Sequence, residues 1–148
     1  MKRINEYKKL FGAEQDMSLK SLKSSYRKLV KTWHPDKFQA GDEKAIEAEA
    51  MSRKIIDGYH FLVSIAPETK AANLEEFNVT MSSPIMDWQH KGLLLEITFL
   101  NGDTYEFFGV NKALYIKFSQ SDKQTRFAKR NIFNKFTYRK IRKNDVVA

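Results

Sequence analysis

The chain has 148 residues, 42% hydrophobic and 30% charged, with 26 Lys and Arg against 18 Asp and Glu for a formal net charge of +8; this is a globular composition, neither disordered nor collagen-like. It has no cysteine, which excludes disulfides, thiolate zinc sites and a thiol nucleophile and makes the cytoplasm the expected setting. No window approaches the roughly 20 apolar residues of a membrane span, and the first ten residues lead into no signal-peptide apolar run, so neither membrane insertion nor secretion is expected.

The charge is unevenly divided. Residues 1–83 carry 14 basic and 12 acidic side chains, whereas residues 84–148 carry 12 and 6. The first part is rich in Ala, Lys, Glu and Leu, the second in Phe and Tyr with strand-like alternation. In the first part a short helix is expected around Ile4 to Leu10. Then Leu19, Leu22, Tyr26, Leu29, Val30 and Trp33 recur at steps of three and four, one face of an amphipathic helix with Ser18 or Asp16 as N-cap. Lys20, Lys23, Arg27 and Lys31, with Lys28 beside them, fall on the opposite face. Such a run is most often a solvated face.

His34-Pro35-Asp36 follows. Proline cannot continue the helix and pushes His34 out of helical conformation, so the helix ends at Trp33 and the chain turns. The corner sets an imidazole and a carboxylate side by side, directly beyond the basic face. A second long helix is expected from Asp42 to Ile65, with Ala48, Met51, Ile55, Tyr59 and Leu62 in one stripe, and a further short one from Glu68 to Phe77.

This order, with Tyr26-Arg27-Lys28-Leu29, His-Pro-Asp-Lys and Ile55-Ile56-Asp57-Gly58-Tyr59-His60-Phe61-Leu62, resembles the J domain of DnaJ-type co-chaperones over residues 4–77. Two departures stand out: Gly58 where the family usually has alanine, and no glycine-rich segment after His-Pro-Asp. The resemblance implies an activator of a heat shock protein 70 family ATPase. Lys20, Lys23, Arg27, Lys28 and Lys31 would dock on an acidic chaperone surface. Asp36 would accept a charge-assisted hydrogen bond from a partner arginine, with His34 and Pro35 holding it in place. Phosphoryl transfer would belong to the partner, since the chain has no phosphate-cradling loop; it is expected not to be an enzyme and to need no cofactor.

Residues 78–84, Asn78-Val79-Thr80-Met81-Ser82-Ser83-Pro84, are poor in helix formers and read as a linker between domains at 1–77 and 85–148. Beyond it Leu93, Leu95, Ile97 and Phe99 alternate with Glu96 and Thr98, a half-buried strand, and Asn101-Gly102 marks a hairpin. Parity selects the loop: an even one would face Ile97 with Glu106, whereas an odd one puts Tyr105 and Phe107 on the apolar face, with Gly102 left-handed. A strand over Ile85 to Trp88 and helices over Lys112 to Ser119 and Lys123 to Lys135 complete a small α+β domain, a β-hairpin or three-stranded antiparallel sheet with two helices. Leu95 through Asn101-Gly102-Asp103-Thr104-Tyr105-Glu106-Phe107-Phe108-Gly109-Val110 to Tyr115, then Ile132, Phe136, Tyr138, Arg139 and Ile141, resemble the KTSC domain, although its central Tyr-x-Tyr appears as Tyr105-Glu106-Phe107.

Lys123, Arg126, Lys129, Arg130, Lys135, Arg139, Lys140, Arg142 and Lys143 form a run without an acidic residue, interleaved with Phe127, Phe133, Phe136 and Tyr138. This fits phosphate contacts with stacking surfaces, for RNA or another acidic partner. Core aromatics with solvated charges are the other reading, and the favoured one for Phe127 and Phe136, because a domain this small needs its large side chains inside. The expected function is therefore a co-chaperone whose second domain is a client, RNA or targeting module; the competing one is a nucleic-acid-binding adaptor. His34, His60 and His90 have no zinc spacing, so no metal is expected, and His90 reads as a loop residue.

Overall fold

The computed structural model describes residues 2–38 and 43–141, which divide into two units, the first Lys2–Ala71 and the second from Ala72 onward. In the first, α1 (Lys2–Phe11), α2 (Leu19–Trp33), a 3-10 turn (Pro35–Lys37), α3 (Glu43–Ile65) and α4 (Pro67–Ala72) follow in order. α2 packs along α3, with α1 against both. Leu22, Ala48, Ile55 and Leu62 are fully buried in this core. Tyr26 stacks on Tyr59 with ring centroids 4.3 Å apart, joining α2 to α3. Tyr7 of α1 tilts onto Phe61 at 5.4 Å, and the Arg3 guanidinium lies 4.3 Å from the Phe61 ring centre, a cation–π contact. Gly58 is buried because α1 passes directly over it.

The second unit contains α5 (Leu74–Met81), β1 (Ile85–Lys91), β2 (Leu94–Phe99), β3 (Thr104–Phe108), α6 (Lys112–Gln120), α7 (Gln124–Asn131) and β4 (Thr137–Ile141). Its four strands form one antiparallel sheet in sequence order. Leu95 faces Phe107 and Ile97 faces Tyr105, the pairing expected from parity. Phe99 N donates to Asp103 O at 2.9 Å, which encloses a three-residue loop, and Gly102 has φ +94°. One sheet face carries the core: Leu95, Ile97, Phe99, Tyr105 and Phe107 with Phe118, Ala128, Ile132 and Phe133.

Five details differ from the sequence expectations, the first being that the helix expected from Glu68 to Phe77 is two, α4 and α5, separated at Asn73. The small domain is α+β as expected, but its sheet gains a fourth strand, β4. Residues 78–81, read as linker, are the second half of α5. Their Val79 and Thr80 are weak helix formers, yet Phe77, Thr80 and Met81 are buried, and that packing overrides propensity. α7 stops at Asn131 instead of Lys135, because Ile132 and Phe133 turn into the core. His90 lies in β1, where its Nε2 meets Val110 O at 2.7 Å and its ring stacks on Tyr115 at 4.4 Å.

Candidate functional site

Two groups of polar side chains stand out, one in each unit. The first is built on α2. Ser18 caps this helix: its Oγ accepts from Ser21 N at 3.2 Å, and its own N–H donates to Asp16 Oδ1 at 2.9 Å. Of the two expected candidates Ser18 is therefore the N-cap, and the Ser18 N–H bond holds the Asp16 carboxyl below its usual range. Leu19 N donates to Glu68 Oε1 at 3.1 Å, tying the start of α2 to α4.

With its apolar stripe turned inward, α2 presents Lys20, Lys23, Arg27, Lys28 and Lys31, all exposed. At about 100° per residue, Lys20, Lys23, Arg27 and Lys31 share an arc of about 80°, with Lys28 about 60° further round. From Lys20 to Lys31 the face runs about 16 Å along the axis. None of the five is in an ion pair among the described residues, so their charge is not neutralised locally.

The helix ends as the proline requires. His34 is its C-cap, extended at φ −61° and ψ 129°. Lys37 N donates to His34 O at 3.1 Å, closing the 3-10 turn. Asp36 N donates to His34 Nδ1 at 3.2 Å, and that same nitrogen lies 3.5 Å from Asp36 Oδ2. An Nδ1 that accepts carries no proton, so this hydrogen bond selects the Nε2–H tautomer in neutral His34. The imidazole thereby braces the backbone of the corner. Asp36, with a side chain 91% exposed, projects into solvent as a carboxylate with most of its acceptor sites open.

The second group comes from the basic run, and the structure separates its members. Lys123, Arg126, Lys129, Arg130 and Lys135 are exposed. Arg139 is not: β4 register sets it opposite Glu106, and its Nη1 reaches Glu106 Oε1 at 3.4 Å with both side chains only 9% exposed. Lys140 points to the other face, where it pairs with Glu76 of α5 and lies 3.6 Å from Asp103. These two cations are used inside the unit, and Arg142 and Lys143 lie outside the described residues. Phe133 is buried, and Phe127, Phe136 and Tyr138 pack against the core, so the interleaved aromatics are mainly structural.

Of the exposed five, Lys123, Arg126 and Arg130 line a shallow groove of about 200 Å³ with Ser121, Phe127 and Asn131. Ser121 and Asn131 carry no charge and escaped the sequence argument; their signal is positional, since Asn131 stands one helical turn beyond Phe127. A second hollow of about 440 Å³ is lined by Glu75, Glu76, Val79, Thr80, Asn101 and Asp103, among others. Thr80 Oγ1 donates to Asp103 Oδ2 at 2.9 Å, and Asn101 Nδ2 donates to Thr80 Oγ1 at 3.1 Å. Beneath them burial, with Glu76 and Asp103 adding to it, pushes the Tyr105 phenol well above its usual value. Among the described residues no three His, Asp or Glu side chains are grouped to hold a metal ion, and no helix is long and apolar enough to cross a membrane.

Comparison with known proteins yields two partial likenesses. Chaperone protein DnaJ of Mesomycoplasma hyopneumoniae is 34% identical over 73 residues, covering 49% of this chain and 19% of that protein. DnaJ of Thermotoga petrophila is 28% identical over 111 residues, 70% and 28% of the two chains, and DnaJ of Anaplasma marginale (strain Florida) 38% over 68 residues, 46% and 16%. The match thus spans less than a third of each of these relatives. No solved structure matches the chain. The model of the KTSC domain family matches residues 81–136, from the last residue of α5 to the residue before β4.

Proposed function

We propose that the protein is a co-chaperone that stimulates a heat shock protein 70 family ATPase through its first unit, acting in the cytoplasm and catalysing no reaction of its own. One observation carries this reading: an unneutralised basic helix face ends on a proline corner whose carboxylate is 91% exposed and whose backbone is braced by the neighbouring imidazole. The partial likeness to DnaJ chaperones supports it.

Lys20, Lys23, Arg27, Lys28 and Lys31 steer the chain onto an acidic partner surface, giving fast, salt-sensitive association. Docking along α2 brings the corner to a fixed place on the partner. There Asp36 accepts a charge-assisted hydrogen bond from an arginine. If that arginine is within reach only in the hydrolysing conformation, the contact binds the two partner states unequally and shifts their balance. The second unit selects the client or location.

The test is ATP turnover by such a chaperone with the full chain and with Asp36→Asn. The exposed variant is expected to keep the helical circular dichroism and melting temperature of the wild type while losing stimulation. Wild-type stimulation by the folded variant refutes the assignment.

A further inference from the structure

We propose that the groove on α7 is a binding site for single-stranded nucleic acid. This is independent of the co-chaperone reading. Between residues 112 and 136 there are seven basic side chains and one acidic, Asp122. All seven, Lys112, Lys117, Lys123, Arg126, Lys129, Arg130 and Lys135, are exposed, and none is in an ion pair among the described residues. The same unit pairs Arg139 and Lys140 with its own carboxylates, whereas these seven have no such partner among the described residues. Among the described residues no carboxylate lines the groove.

The remaining lining groups decide the chemistry. Arg126 and Arg130 stand one helical turn apart on α7, about 40° apart around its axis, with Lys123 at its N-cap, and the three supply a row of phosphate contacts. Ser121 Oγ accepts from Lys123 N at 3.2 Å, which leaves its hydroxyl proton to donate to a phosphate oxygen. The Phe127 ring packs inward toward Phe118 with centroids 6.5 Å apart, yet remains part of the groove wall. An aromatic surface beside guanidinium groups suits an unpaired base. A duplex keeps its base faces stacked inside and would leave that ring unused, and an acidic peptide brings nothing flat to lay on it. Asn131 Nδ2 is committed to Phe127 O at 3.0 Å, so the amide offers its oxygen as an acceptor for a base amino group.

Fluorescence anisotropy of a labelled single-stranded RNA of about 12 nucleotides, with its DNA counterpart, tests the site on the full chain. Binding is expected at about 50 mM salt, with log K falling against log salt at a slope of about −2 for three phosphates on a single strand. Replacing both Arg126→Ala and Arg130→Ala should weaken binding at least about tenfold and reduce that slope by about 1.4. Phe127→Leu, checked for folding by circular dichroism, should weaken binding about fivefold or more with the slope unchanged. Asp36→Asn should bind as the wild type does, which separates this proposal from the previous one. No binding at about 50 mM salt, a slope untouched by the double substitution, or a polyglutamate peptide that binds as tightly as the oligonucleotide would each overturn it.

Discussion

Gly58→Ala exchanges a poor helix residue for the best one at the middle of α3, and on helix propensity alone should stabilise the protein by about 1 kcal/mol. The packing opposes this. A methyl group there would lie 2.9 Å from Tyr7 Cδ1 and 3.1 Å from Phe11 Cε1, against a comfortable carbon–carbon separation of about 3.5–4.0 Å. The Phe11 ring is buried and the Tyr7 ring half-buried against Phe61, so relief requires these rings, or α1 that carries them, to shift. Overpacking of this kind costs about 1–3 kcal/mol. Subtracting the propensity gain leaves a net loss of up to about 2 kcal/mol, with about 1 kcal/mol as the central expectation. For a unit of this size that lowers the melting temperature by about 4–8 °C. Thermal melting followed by far-ultraviolet circular dichroism measures it, and Tyr7→Ala combined with Gly58→Ala should lose less than the sum of the two single changes. A Gly58→Ala melting temperature at or above wild type would refute the reasoning, because α1 would then be yielding without cost.

Gly102→Ala should also destabilise, for a different reason. Nothing lies within 4 Å of the added methyl, but the φ of +94° strains any L side chain by about 1–2 kcal/mol, and an unchanged urea midpoint would contradict this. Arg139→Met leaves the buried Glu106 carboxylate without its arginine and should cost about 3 kcal/mol or more, most of it recovered when Glu106→Leu is added; equal stability of the single and double variants would count against the pair's role. Burial raises the phenols of Tyr105 and Tyr138. A folded-state value above the unfolded one near 10 means stability is intact below about pH 10 and falls as pH rises beyond it. Tyrosinate absorbance should therefore show Tyr105 and Tyr138 ionising above the ordinary phenol range in the folded chain, and all six tyrosines titrating as a single class near pH 10 would exclude it.

Local rules made much of this architecture legible. The stripe from Leu19 to Trp33, the serine cap and the proline stop bound α2 from short-range chemistry alone. Side-chain parity across Asn101-Gly102 chose the hairpin loop because a sheet with one buried face tolerates only one register. The corner at His34-Pro35-Asp36 is readable in outline from the proline stop alone. What escaped depends on partners distant in sequence. Thr137-Tyr138-Arg139-Lys140-Ile141 reads as basic surface until Glu106 is opposite Arg139 and Glu76 reaches Lys140. Val79 and Thr80 argue against a helix until Phe77, Thr80 and Met81 find the sheet. Gly58 reads as a defect in α3 until Tyr7 is seen to occupy the space a side chain would take.

Phe77 stacks on Tyr138 with ring centroids 4.0 Å apart and meets Tyr105 edge-on at 5.5 Å, yet both Phe77 and Tyr138 fall outside the stretch 81–136 that matches the KTSC family. Transplanting only the matched stretch into another protein would discard most of α5 and all of β4. Such a graft would lose the two rings that clasp Tyr105, along with the arginine that accompanies Glu106 and the lysine that accompanies Asp103. The portable unit of this half of the chain is therefore larger than the stretch that matches the family model, and a recombination event that respects that stretch alone should yield a fragment that folds poorly.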